Sequence, residues 1–327
     1  VFASEQAQRG VVLTLVSNLA TSYVALRALD RQLEIARATT ANFEKTAHIF
    51  DLRYKQGVVS KVEVMQITSQ VQQAKAAIPL FEQAIAAQEN LISLLLGRNP
   101  GPIPRGKTID QLLAPAIPAD LPSTLLERRP DVLQAEQNLV AANASVGAAR
   151  ALYYPNISLT GVLGTVSTTF SDLFTGPSQA WRAGGSIAGP IFTFGAVRGQ
   201  NASADAVREQ ALLGYQQTIL NAFRETNDAL TGSTLKANEL AEQQARVAAL
   251  RDFARLSNLR FENGMTSYID VLVAENELFA AELASVRISA ERQAQVINVY
   301  RAMGGGWVTT ATNQANNAPA KASASGG

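Results

Sequence analysis

Two stretches of this chain place hydrophobic residues every seventh position. Leu240, Val247, Ala254 and Phe261 form one series, with Leu250 three residues after Val247. Leu33, Thr40, Ala47 and Tyr54 form the other, accompanied by Phe43 and Phe50. A sustained heptad aligns these positions along one seam of a helix, so the two stretches are expected to pack lengthwise as coiled-coil pairs.

The pattern predicts five long helices and one β-hairpin. A first helix covers about 6–56, turns at Gly57 and returns as a second from Ser60 to about residue 96, with a kink expected at Pro79. Residues 98–122 carry Pro100, Pro102, Pro104, Pro115, Pro118 and Pro122 and read as an irregular connector. A third helix starts near Pro130-Asp131, because proline suits the first helical position and the acid suits the positive helix end. Pro155 should stop it at Tyr154. The fourth runs from about 202 to 263; at ~1.5 Å per residue it would reach roughly 90 Å. Gly264 turns the chain, Ser267 is placed to cap, and a fifth helix runs to Met303. The tail at 308–327 is rich in Ala, Asn, Ser and Gly and is expected to be disordered.

Between the third and fourth helices the period changes from helical to two. Ile157, Leu159, Gly161, Leu163 and Thr165 alternate with Ser158, Thr160, Val162, Gly164 and Val166, and a second such segment covers 179–192. Each is long enough for the roughly 9–11 residues with which a tilted strand crosses a bilayer. An ordinary soluble hairpin would show the same alternation. Trp181 and the pair Tyr153-Tyr154 are placed where interfacial aromatics would stand.

The chain also repeats itself at a constant offset of 207 residues. Leu52-Arg53-Tyr54-Lys55-Gln56-Gly57 returns as Leu259-Arg260-Phe261-Glu262-Asn263-Gly264, and the register holds through Ser60/Ser267, Glu63/Asp270 and Gly97/Gly304. Ten of the 46 pairs from 52 to 97 are identical, so the two helical hairpins descend from one duplicated unit. Two strands alone would leave unpaired edges in hydrocarbon, so closure needs further strands. In the second copy the β-hairpin precedes the long helix; in the first, that position falls before Val1. A matching hairpin and helix of roughly 120–150 residues is therefore expected upstream, and the chain reads as N-terminally truncated. Even four strands are fewer than the about eight a barrel requires, so subunits would share one.

Composition narrows the classes. Aromatics are 6% of the residues, which favours long helices over a β-rich globule. A net charge of +1 leaves no electrostatic footprint for nucleic acid. The absence of cysteine excludes disulfides and thiolate metal sites. His48 is the only histidine, so no histidine metal cluster exists, and its place on a long helix fits a packed or surface residue better than a catalyst. No nucleophile elbow, phosphate loop or dinucleotide fingerprint occurs, and no cofactor is expected. Glu225 and Asp228 read as members of a solvated helix face. The alanines from 141 to 151 fit either close helix packing or simple helix propensity.

One long motif resembles a known family. It begins Arg129-Pro130-Asp131-Val132, continues through Ala135-Glu136, Leu139, Ala141-Ala142, Ala144, Val146-Gly147 and Ala149-Arg150-Ala151, and closes with Tyr154-Pro155-Asn156-Ile157-Ser158-Leu159-Thr160-Gly161. Pro190-Ile191-Phe192 with Gly195, and the turn Arg260-Phe261-Glu262-Asn263-Gly264 with Tyr268-Ile269-Asp270-Val271-Leu272, extend it over nearly all of residues 5–307. In these residues the chain is similar to the TolC/OprM-type outer-membrane efflux proteins, within them the NodT-like lipoproteins. The resemblance implies a homotrimer whose four strands per subunit form one shared twelve-stranded barrel in outer-membrane lipid. It also implies a long helical tunnel in the periplasm of a Gram-negative bacterium, joined by a periplasmic adaptor to an inner-membrane efflux pump.

The expected fold is thus mostly α with a small β part: a first helical hairpin (1–97), the connector (98–122), a helix of the second repeat (123–154), a transmembrane β-hairpin (155–194), a second long hairpin (195–307) and the tail. The expected function is passive export of drugs or other small molecules; the alternative is a soluble periplasmic coiled-coil scaffold or adaptor. In the resembled family the second-copy tip constricts the tunnel. Here Ile269 and Asp270 stand at that position, while Val273 replaces a second aspartate found in TolC-like members. Threefold symmetry would gather Asp270 into a ring of carboxylates that selects cations or closes with pH; a solvated acid after a helix start is the plainer reading. The tips at Gly57, Ser60, Gly264 and Ser267 are where the resemblance places adaptor docking. On two strands per chain, three copies supply six, so this length alone is not expected to form the normal pore.

Overall fold

The computed structural model describes residues 2–112 and 125–305. Its elements in order are α1 (Phe2–Lys55), α2 (Lys61–Leu95), a short α3 (Leu125–Arg128), α4 (Pro130–Ala151), β1 (Asn156–Thr165), β2 (Gln179–Ala188), α5 (Ala196–Glu262) and α6 (Tyr268–Ala302). The mostly helical architecture, with one small sheet among the described residues, agrees with the sequence pattern. The one-turn α3 was not anticipated, and α2 continues as helix through Pro79. Part of the connector and the tail after residue 305 lie outside the described residues.

The chain divides into two units. The smaller comprises the start of α1 up to Ser4, α4 from Val132, the β-hairpin and α5 up to Ile219. There Ala142, Val146 and Ala149 of α4 are buried at helical spacing, while Ala141, Ala144, Ala148 and Ala151 are exposed. Both explanations of the alanine run therefore apply, to different faces of one helix. Asn201 of α5 donates to the Ala149 carbonyl at 3.0 Å.

β1 and β2 pair antiparallel from Asn156↔Ala188 to Thr165↔Gln179. Directly opposed residues share a face, so the register sorts the side chains. Ile157/Ile187, Leu159/Gly185, Gly161/Ala183 and Leu163/Trp181 form an apolar face. Ser158/Ser186, Thr160/Gly184 and Val162/Arg182 form a polar one, where the two serine hydroxyls meet at 2.7 Å. Every residue of both strands is exposed in the single chain.

The larger unit contains α1 from Glu5, α2, the connector, α3, α6 and α5 from Leu220. One core cluster joins Phe43 and Phe50 of α1, Val64, Ile67, Val71 and Ala74 of α2, and Tyr268, Val271 and Leu272 of α6. Leu240, Val247 and Ala254 are buried as the heptad requires. In α1 the expected seam holds in part: Thr40, Phe43 and Phe50 are buried and Ala47 packs against the core cluster, with Ala36 buried seven residues before Phe43, whereas Tyr54 is 40% exposed. The connector is irregular yet anchored. Ile103 is buried against Leu26 and Ile92, and Arg105 binds Asp30 at 3.0 Å and also pairs with Glu89.

Candidate functional site

Both hairpin tips are built by the same local rules. α1 ends with Gly57 at φ +75°, its N–H donating to the Tyr54 carbonyl at 2.9 Å while Val58 N–H reaches the Arg53 carbonyl at 2.9 Å. α5 ends with Gly264 at φ +69°, with Gly264 N–H on Phe261 and Met265 N–H on Arg260, each at 2.9 Å. This is the Schellman arrangement, in which a left-handed residue lets two otherwise unpaired carbonyls find donors. Glycine adopts that conformation without the Cβ clash, which is why it stands at both turns.

The next helices begin differently. At the first tip Ser60 Oγ accepts from the Glu63 N–H at 3.3 Å, and Glu63 accepts from the Ser60 N–H at 2.7 Å, a reciprocal capping box. At the second, Ser267 has the same N-cap conformation but its side chain makes no capping hydrogen bond. The capping role expected of Ser267 is therefore not fulfilled. Asp270, one methylene shorter than Glu63, accepts instead from the Thr266 hydroxyl.

Around this start α6 separates two faces. Val271, Leu272 and Ala274 are buried in the core, whereas Ile269 and Val273 are 49% and 47% exposed and Asp270 is exposed beside them. The three gate candidates thus share the outward face of one helical turn. Behind them Tyr268 meets Phe50 at 4.3 Å and Phe261 at 5.0 Å between ring centroids. This aromatic group ties the second tip to α1 of the first copy, and burial pushes the Tyr268 phenol up to about 12.

The motif around Arg129 has a structural meaning that its sequence did not reveal. Arg129 is buried; its guanidinium binds Asp131 at 2.6 Å, Glu225 at 2.8 Å and the Ala302 carbonyl at 3.2 Å. Burial opposes the charge of Arg129, yet its bonds to Asp131 and Glu225 outweigh this and hold the group above its ordinary value. Glu225 is therefore not simply part of a solvated face, because it joins α5 to the start of α4. Asp228 is exposed, as its helical position implied, and so is His48.

Comparison with known proteins places this geometry. Cation efflux system protein CusC of Escherichia coli O6:H1 is 34% identical over 307 residues, which cover 93% of this chain and 66% of CusC. Toluene efflux pump outer membrane protein TtgF of Pseudomonas putida is 33% identical over 306 residues, covering 93% of this chain and 64% of TtgF. The solved open state of the MtrE outer membrane channel of Neisseria gonorrhoeae superimposes with a TM-score of 0.84 at 27% identity, covering 93% of this chain and 69% of MtrE. The chain thus spans just under two thirds of the length of CusC and TtgF. Residues 1–98 and 121–305 match the family model described as Outer membrane efflux protein, and the chain belongs to that family.

Proposed function

We propose that this chain is the subunit of an outer-membrane channel, a passive conduit for drugs or other small molecules delivered by an inner-membrane pump through a periplasmic adaptor. The observation that carries this reading is the sorting of the β-hairpin into one apolar and one polar face while all its residues remain uncovered. A barrel wall needs such a strand pair, with lipid on one side and water on the other. Aromatic residues flank it at both ends: Trp181, Phe170 and Phe174 beside the β1–β2 loop, and Tyr153, Tyr154 and Phe192 beside the helices, all exposed. Two such girdles suit the two interfaces of a bilayer. A homotrimer lets three copies share one closed barrel, and the helices then stand in the periplasm.

In this reading Ile269 and Val273 supply apolar constriction at the second-copy tip, and Asp270 contributes one carboxylate of a threefold ring. Gly57, Ser60, Gly264 and Ser267 shape the tips on which the adaptor would dock. CusC and TtgF are named for cations and toluene at nearly equal identity to this chain, so overall similarity does not select a substrate. The test is conductance in planar bilayers with the complete protein. Stable single-channel steps, with cation selectivity that falls in Asp270→Asn and leak that rises in Ile269→Gly, are expected. A protein that fractionates without the outer membrane and gives no steps would overturn the reading and favour a soluble scaffold.

A further inference from the structure

Just beyond the gate candidates, two clefts of about 260 and 250 Å3 open between α1 and α6. The first is lined by Arg31, Glu34, Asn42, Phe279 and Glu282, the second by Asn42, Lys45, Thr46, Asn258 and Tyr268; Glu275 lines both. Glu275 is half-buried, and among the described residues its carboxylate makes no ion pair. The charges around it leave it uncompensated. On α6, Glu282 lies two turns along the same face and is itself bound to Arg251 of α5 at 2.6 Å. On α1, Arg31 is held by Glu34 at 3.0 Å, and Lys45 borders only the second cleft. α5 contributes the neutral amide of Asn258. Tyr268 is the remaining titratable neighbour.

The duplication provides an internal control. The first-copy equivalent of Glu275 is Thr68, whose hydroxyl is satisfied by the Val64 carbonyl of its own helix at 2.7 Å. The same position therefore accommodates a neutral, self-satisfied side chain in one hairpin and an unpaired acid in the other. A half-buried carboxylate beside a like charge is disfavoured in its ionised form, whereas fuller hydration of the cleft relieves it.

We infer that Glu275 is a proton-operated wedge: protonated, it allows α6 to close on α1; ionised, it draws water into the two clefts and favours their separation. Burial, and after it the charge of Glu282, hold the packed carboxyl above its ordinary value of 4.5. The closed packing consequently binds the proton more tightly than a hydrated, separated one. Closure is undiminished below the ordinary value and weakens as pH rises from there through the raised one. The wedge deepens the reading of the second tip as a gate and rests on it only for its effect on conduction.

The chain has no cysteine, so nitroxide labels can be placed by Ala41→Cys on α1 and Ala280→Cys on α6, both at exposed sites. Pulsed electron spin resonance on the full protein then reads the α1–α6 distance at pH 4 and pH 8. The expected result is a longer distance at pH 8 in the parent, with Glu275→Gln and Glu275→Thr short at both pH values. Glu275→Thr installs the residue the first copy already tolerates, which keeps the test independent of one variant's folding. No pH shift in the parent, or an equal shift in both variants, would overturn the wedge. A pH-dependent distance in a protein that conducts no ions would leave the wedge standing and overturn the channel reading alone.

Discussion

Lys75 Nζ lies 2.6 Å from Glu44 Oε1, tying α2 to α1, and the residues 207 positions later form the same bridge with the charges exchanged. There Glu282 of α6 binds Arg251 of α5, also at 2.6 Å. Each helix is thus matched to its own hairpin partner and mismatched to the other hairpin's, since α1 against α6 at this register would oppose Glu44 and Glu282. Exposed pairs of this kind are worth about 0.5 kcal/mol each. Lys75→Glu should destabilise by a similar amount, and Glu44→Lys added to it should restore the loss. A double-mutant cycle by urea denaturation reads the coupling, and a coupling of zero would reduce the bridge to a surface coincidence.

A second repeat-related pair tests the aromatic tie. Tyr54 and Lys61 contact as a cation over a ring at 5.3 Å on the outside of the first tip, while their counterparts Phe261 and Tyr268 meet inside the second. Phe50, 1% exposed, closes that inner group. Phe50→Ala should cost about 3–5 kcal/mol because it removes one of three packed rings and opens a cavity beside the other two. Tyr54→Ala should stay within about 1 kcal/mol, as is usual away from a packed core. Equal losses in the two variants would show that the tie is not specific to the second tip.

The unequal caps lead to a stabilising substitution. Asp270→Glu restores the side-chain length present at Glu63 and should rebuild the reciprocal box with Ser267, gaining about 0.5–1 kcal/mol. Ser60→Ala should cost about 1 kcal/mol, whereas Ser267→Ala should be nearly silent in the parent and costly only alongside Asp270→Glu. Amide exchange at the first turns of α2 and α6 measures each. A costly Ser267→Ala in the parent would contradict the unbonded side chain described above.

Gly57 and Gly304 separate two reasons for requiring glycine. Both have positive φ, but a Cβ on Gly57 meets nothing within 4 Å, whereas one on Gly304 would lie 2.8 Å from the Arg128 carbonyl oxygen. Gly57→Ala should cost about 1–2 kcal/mol from backbone conformation alone. Gly304→Ala should cost more and loosen the adjoining Arg129 node, read as faster amide exchange at the start of α4. Indistinguishable variants would argue against the close approach.

Much of this was legible because it is local. Gly57 and Gly264 announced their turns, Pro155 stopped α4 close to where it ends, and alternation located both strands. Tyr54 continues the spacing of Thr40, which is buried, and of Ala47, which packs on the core, yet it is itself 40% exposed with Lys61 over its ring; periodicity extends a stripe, and packing decides where along it burial stops. Ser267 misled for a subtler reason. The serine is shared by the two copies, but at the second tip its hydroxyl accepts from no first-turn N–H, and Asp270 accepts from Thr266 in place of the reciprocal bond that Glu63 makes. The bond from Arg129 to Glu225 had no local signal, since its members lie far apart in the chain.

The sequence by itself determined the helices, their turns, the duplication and the two-faced hairpin, because hydrogen bonding within a helix, glycine's access to positive φ and the period-two pleat all act between near neighbours. Only the tertiary structure decided which polar groups meet: Lys75 with Glu44, Glu282 with Arg251, Arg129 with Glu225, and Glu275 with no ion-pair partner among the described residues. Those outcomes depend on the register of one helix against another. A shift of a single turn, about 5.4 Å along an axis, exchanges every partner while leaving each helix unchanged.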